Sequence, residues 1–245
     1  PALIWHQVRY EQLSFWRNPQ SAFFTFAFPV LFFIILGAVF GNGNIYGNVN
    51  GLAYYTATIT ALSVMSACYS QLAIVLSLRR QTGILKRMRA TPAPAWLVFA
   101  GILIHCIVLS LIDVVVILAM SRIYGNPLPG HLFVIFVTLI VGAAAFCALG
   151  VGVASLVTNA DAAPAVVQFI FFPLVFISGS YFHITSKVLN QIANIFPVRP
   201  FNNALLNPMA LHRGFDSKDV GILAIWGVLG AAVAIRRFRW DPKPE

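Results

Sequence analysis

The sequence predicts an all-α membrane protein with six transmembrane helices, and three observations carry that expectation. The 245 residues are 59% hydrophobic and only 9% charged, with a mean hydropathy of +0.83. A soluble domain of this length needs more charge than that to stay in solution. Six apolar segments, approximately 22–40, 52–78, 95–120, 131–157, 164–182 and 220–235, follow one another along the chain. Each approaches or exceeds the roughly 20 residues that a spanning helix needs. The basic residues gather at the ends of those segments, where they orient spans and attract anionic headgroups. Their placement does not form a groove-like stripe, so the net charge of +9 is not read as a nucleic-acid surface.

Residues 1–18 come before the first span. Ile4, Trp5, Val8, Phe15 and Trp16 fall on one side of a helical wheel, while Arg9, Glu11 and Arg17 fall elsewhere. This pattern predicts an amphipathic helix lying in the interface, ended by Asn18-Pro19. It lacks a basic stub followed by a short apolar core, so no cleavable signal is expected. The 41–51 loop is uncharged and rich in turn formers. The second, third and fourth spans are long enough to tilt. Pro173 predicts a kink within the fifth.

With the N-terminus placed in the cytoplasm, eleven of the sixteen Lys and Arg residues lie on the inner side and five on the outer. That bias places both termini inside. The interval 178–219 is the longest polar stretch. Within it Val188, Leu189, Ile192, Ile195 and Phe196 are spaced for a short helix dipping into the outer leaflet. Non-helical backbone at that depth must be buried in protein or line a wet cavity.

Residues 79–94 carry Arg79, Arg80, Lys86, Arg87 and Arg89, together with Ile84, Leu85 and Met88 at helical spacing. The pattern predicts a short helix at the cytoplasmic membrane surface. Its charge suits either anionic lipid or a cytoplasmic partner.

Polar chemistry within the spans is sparse. Asp113 is the acidic residue deep in a span, and His105 lies on roughly the same face of that helix. The two form either a proton relay or ion site, or a polar pair satisfied inside the bundle. Phe169, Phe171, Phe172 and Phe176 in the fifth segment line an apolar substrate path or contact lipid and neighbouring helices. Gln168 and Ser178 offer polar contacts beside them. Gly142, Ala143, Ala144, Ala145, Ala148, Gly150 and Gly152 make the fourth span small-faced, for helix packing or a subunit contact. Cys68, Cys106 and Cys147 fall in apolar stretches without metal-ligand spacing and are read as packing residues, with no metal expected. No phosphate loop, H-E-x-x-H, G-x-S-x-G or paired-carboxylate motif occurs, so the chain is not expected to hydrolyse ATP or to be an enzyme by itself.

The run R-x-x-G-x-L-x-R-M-x-x-T-P, formed by Arg80, Gly83, Leu85, Arg87, Met88, Thr91 and Pro92, resembles the loop after the second span in permeases of type-2 ABC exporters. Arg17-Asn18-Pro19, Pro29, Ser178-Gly179 with the following aromatic patch, and Arg237-Phe238-Arg239-Trp240 resemble the same family in the same order. The likeness covers essentially the whole chain and is nearest to the daunorubicin-resistance branch. It implies a single six-span domain, 1–245, in the bacterial plasma membrane. It also implies docking on a separate nucleotide-binding ATPase subunit, which holds ATP and Mg, and pairing with a second permease copy or homologue. Arg80, Gly83, Leu85, Arg87, Met88 and Arg17 are the coupling residues it implies. Phe169, Phe172, Phe176, Gln168 and Asp113 are candidates for the path of an amphipathic drug, antibiotic or lipid. Polysaccharide export, and a proton-coupled transporter using His105 and Asp113, are the alternatives. Gln81 departs from the Glu often found in the family. That change puts in doubt a salt bridge to the ATPase or to the N-terminal helix.

Overall fold

The computed structural model describes residues 2–40, 43–45, 49–90, 94–179, 187–211 and 213–238. Thr91, Pro92, Arg239, Trp240 and the aromatic patch after Gly179, which belong to the family-like motifs, lie outside them.

Helix α1, Ala2–Trp16, is followed by α2, Pro19–Ala22, by a π-helical stretch Phe23–Ala27, and by α3, Phe28–Phe40. Asn44–Ile45 and Val49–Asn50 pair as a short antiparallel ribbon. Helix α4, Gly51–Met65, passes through a π-helical stretch Ser66–Gln71 into α5, Leu72–Gln81, and α6 is Ile84–Arg89. Then come α7, Ala95–Ile123; α8, Leu132–Leu156; α9, Ala163–Ile177; α10, Lys187–Ala193; α11, Val198–Met209; and α12, Ser217–Arg237.

Local chemistry sets several boundaries. The Asn50 side chain accepts from the N–H groups of Leu52 and Ala53 at 2.9 and 3.4 Å and caps α4. Asp216 caps α12 in the same way through Lys218 and Asp219, satisfying amide groups that a helix start leaves open. A proline falls in the first turn of α9, where its missing N–H costs nothing. The helix continues through Pro173.

Among the described residues, four helical runs are long and apolar enough to cross a membrane: Gly51–Gln81, Trp96–Ile123, Leu132–Leu156 and Ser217–Arg237. The first and fifth expected spans contain shorter apolar helices, Thr25–Val39 and Ala163–Ile177. Both nevertheless run beside the long ones. At one end of α9, the Ala160 N–H that precedes it bonds the Gln81 side chain closing α5. At the other end, Tyr54 near the start of α4 donates to the Gly179 carbonyl at 3.0 Å. Likewise, Phe26 packs edge-on against Phe15, while Phe33 meets Tyr124 at the far end of α7.

The remaining helices divide between faces buried in the bundle and faces left on its surface. The N-terminal helix buries Val8, Phe15 and the charged Glu11 against α7, and leaves Trp5 and Trp16 exposed. Glu11, on the side turned toward the bundle, is neutralised from another element by Arg79. In the 178–219 interval, Val188, Leu189, Ile192 and Ile195 are exposed. The helix that inserts among the long ones is α11, whose Phe201, Ala204 and Leu205 pack against α4, α8 and α12.

The small residues of the fourth span serve packing within the chain. A β-carbon on Gly230 of α12 would lie 2.7 Å from the Leu149 backbone nitrogen, and one on Gly152 would lie 3.1 Å from the Gly230 carbonyl oxygen. Gly142 receives the Phe201 ring, and Gly150 lies against the backbone of Cys68 and Tyr69. These contacts fix α8 as the central element, with α12 backbone-close along it and α11 and the π-helical stretch of the second span on its other faces.

Candidate functional site

The expected short helix after the second span is α6. Gly83 precedes it with φ +72°, a left-handed conformation that glycine adopts without a side-chain clash, and nothing lies within 4 Å of where its β-carbon would be. This turn sends α6 off at an angle from α5. Leu85 then buries completely, at 1% exposure, in the main apolar cluster, and Met88 packs against the edge of that cluster. Lys86 and Arg87 point outward, as does Arg17 at the end of α1. The helix is therefore anchored on one side and presents positive charge on the other.

The two arginines that end the second span do not share that outward surface. Arg79 donates from both terminal nitrogens to the two oxygens of Glu11, at 2.8 and 2.7 Å. Gln7 adds a third donor to Glu11 at 2.9 Å. Charge-assisted paired bonds of this kind fix geometry as well as adding energy. Arg80, only 3% exposed, donates to the carbonyls of Ala154 and Val157 where α8 ends. It thereby satisfies orphan carbonyls at a helix C-terminus, where positive charge is favoured. The structure thus gives Arg80 and Leu85, both expected as coupling residues, positions inside the chain. Lys86, Arg87 and Arg89 are the basic residues of α6 on its exposed side. Gln81 is bonded to the Ala160 backbone. The bridge to the N-terminal helix that Gln81 put in doubt is made instead by Arg79, which the motif did not single out.

A cavity of ≈ 340 Å³ lies between α3, the second span and α9. Phe28, Phe32, Phe171 and Phe172 supply aromatic walls, and Ser63, Ser66, Ser70 and Gln71 form a polar stripe opposite. The Ser63 and Ser70 hydroxyls and the Gln168 carbonyl oxygen are buried and make no hydrogen bond among the described residues. The π-helical stretch Ser66–Gln71 supplies part of this stripe. Such a stretch inserts an extra residue into a helix and turns its side chains, often where function needs them. Apolar walls with a few unsatisfied polar atoms suit an amphipathic ligand.

Of the five path candidates, Gln168 and Phe172 line this cavity. Phe169, 79% exposed, and Phe176 face outward instead. Asp113 is 1% exposed, does not line the cavity, and neither of its oxygens has a hydrogen-bond partner among the described residues. Ser63, which lines the cavity, is beside it. His105 packs edge-on to Phe15 and lines a different cavity with Glu11 and Arg79. The sequence pair His105–Asp113 thus faces two separate environments.

The three cysteines, read from sequence as separate packing residues, come together. Their sulfur atoms all lie within 4.8 Å of one another, and all three residues are buried. Linear spacing gives no sign of this, because each comes from a different helix.

Residues 2–209 match the sequence profile of the ABC-2 type transporter family. Among curated proteins, none matches the chain.

Proposed function

Since the chain belongs to the ABC-2 type transporter family, we propose that it works as the membrane permease of an ATP-driven exporter whose motor is a separate nucleotide-binding subunit. The observation that supports this reading best is α6, which buries Leu85 in the bundle and holds Lys86 and Arg87 outward. A helix built in this way transmits a push on its charged face to the spans behind it. ATP and Mg belong to the partner, and two permease copies, or this chain and a homologue, enclose the pathway. In this reading the apolar helices Thr25–Val39 and Ala163–Ile177 complete six crossings of a bacterial plasma membrane, with both termini and α6 on the cytoplasmic side.

The cargo is an amphipathic drug, antibiotic or lipid. Aromatic walls facing serine hydroxyls and Gln168 fit a molecule with an apolar body and a few polar groups better than a polysaccharide.

Co-expression with an ATPase subunit encoded beside the gene tests the reading. The expected result is a stable complex whose ATPase activity responds to amphipathic compounds. Replacing both Lys86 and Arg87 by Asp should weaken capture of the ATPase and leave the permease folded. A complex that forms equally well with that double variant would overturn the assignment of α6.

A second reading, a proton-coupled transporter, draws on the buried carboxylate of Asp113, which has no hydrogen-bond partner among the described residues. It requires uptake or efflux that follows an imposed proton gradient without ATP and is abolished by Asp113→Asn. Transport that needs ATP and survives that substitution would eliminate it.

A further inference from the structure

Cys68 lies in the π-helical stretch of the second span, Cys106 in the middle of α7, and Cys147 in the middle of α8. Their sulfurs lie within 4.8 Å of one another, and the Ser110 hydroxyl lies 3.4 Å from the Cys68 sulfur. Bonds of about 2.3 Å from three sulfurs to one central atom, as for zinc thiolates, set those sulfurs roughly 4 Å apart in a planar triangle. A pyramidal arrangement brings them somewhat closer. The sulfur separations, all within 4.8 Å, are already near that spacing.

The surroundings select among soft ligands. The cluster sits in the apolar core, where an uncompensated charge is expensive. Thiolates favour soft centres. A monovalent metal bound by three thiolates would leave net negative charge there. Tetrahedral zinc needs a fourth ligand, and Ser110 is the polar group that contacts the cluster. A trivalent metalloid balances three thiolates and leaves the complex neutral.

We propose that Cys68, Cys106 and Cys147 form a binding site for trivalent metalloids, with arsenous acid as the reference ligand. The neutral hydroxide As(OH)3 meets three neutral thiols. Three As–O bonds and three S–H bonds break, three As–S bonds form, and each departing hydroxide takes one thiol proton to leave as water. Arsenic remains trivalent, so no oxidant or reductant is consumed and no charge is left in the core.

Access runs through the cavity of ≈ 280 Å³ that Cys106 lines together with Glu11, Arg79 and His105. Its outer rim includes the exposed Tyr10 and Leu78. This is room enough for a small neutral hydroxide. Binding would tie the second span, α7 and α8 together near their middles and oppose any movement between them. The inference is independent of the transport reading.

The test uses the full chain, purified in lipid nanodiscs and reduced with a phosphine so that no competing thiol is added. After incubation with sodium arsenite and gel filtration, arsenic per chain is measured by mass spectrometry and its neighbours by X-ray absorption. About one arsenic per chain with three sulfur neighbours and no oxygen is expected, as metal–thiolate stoichiometry requires. Cys68→Ser, Cys106→Ser and Cys147→Ser should each lower retained arsenic by roughly tenfold or more. The wild-type sulfur count does not depend on how those variants fold. Negligible arsenic on the wild type, two sulfurs with an oxygen, or wild-type retention by any single serine variant would overturn the proposal.

Discussion

The paired bonds between Arg79 and Glu11 make a quantitative prediction. They join α1 to the end of the second span, with bond lengths of 2.8 and 2.7 Å and side-chain exposures of 11% and 4%. Removing one partner of a buried pair strands the other, at a cost of about 3–5 kcal/mol. The two halves should not cost the same. Arg79→Met leaves the Glu11 carboxylate, 4% exposed, with Gln7 as its remaining donor, and its short side chain has little freedom to turn farther outward. Glu11→Leu leaves a guanidinium on a long stem that can bend outward and rehydrate, so its loss belongs at the lower end. For a chain of this length, roughly 2–4 °C of melting temperature accompanies each kcal/mol. Arg79→Met should therefore melt as much as about 20 °C below wild type, and Glu11→Leu about 6–12 °C below. The double variant Glu11→Leu/Arg79→Met removes both charges and should recover most of the loss, since an apolar pair of similar volume is often neutral there. The assay is fluorescence-monitored thermal unfolding of the purified protein, analysed as a double-mutant cycle. Additive losses, or a Glu11→Leu variant less stable than Arg79→Met, would refute this account of how α1 is held.

Three further perturbations separate structure from function. Leu85→Asp places a carboxylate in a site of 1% exposure and should destabilise the fold by roughly 3 kcal/mol or more; Arg87→Asp should melt like wild type and lose coupling to the ATPase. Equal melting temperatures for the two would contradict the anchored-face description of α6. Gly230→Ala drives a methyl group to within 2.7–2.9 Å of the backbone around Leu149 and should cost about 1–3 kcal/mol, read as a lower melting temperature. Gln168→Ala and Ser70→Ala should change the order in which amphipathic compounds stimulate the ATPase while leaving basal turnover in place; an unchanged order in both would remove the cavity from the substrate path.

Much of the fold was legible because membrane helices are written in uninterrupted apolar runs. The second, third, fourth and sixth segments needed only a few residues of adjustment at their ends. α6 was legible too, since Ile84, Leu85 and Met88 stand at helical spacing among the basic residues. The partnerships were harder to read. Arg79 and Arg80 are adjacent and chemically alike, yet one reaches Glu11 and the other the end of α8. Adjacent helix positions point about 100° apart, so neighbours in the motif were bound to find different partners. α11 escaped notice because its apolar stripe, Val198, Phe201, Leu205 and Met209, is interleaved with Asn202, Asn203 and Pro208, which read as loop. The cysteine cluster left no trace in spacing at all.

The division within the motif bears on how force would travel through the chain. Under the proposed coupling, a push on Lys86 and Arg87 is handed to the contacts behind them. Leu85 couples it to the main core, Arg80 to the end of α8, Gln81 to the turn before α9, and Arg79 to α1. Four contacts within a few residues tie α6 and the end of α5 to the core, to α1, to the end of α8 and to the turn before α9. The cavity between α3, the second span and α9 lies on the same rod, several turns farther along. Its polar stripe begins where α4 passes into the π-helical stretch Ser66–Gln71. A helix changes register most easily at such a stretch, because the extra residue can migrate along the ladder of hydrogen bonds. Under the proposed coupling, displacement of the clamped end should therefore be absorbed between Ser66 and Gln71, and the serines lining the cavity should rotate with it.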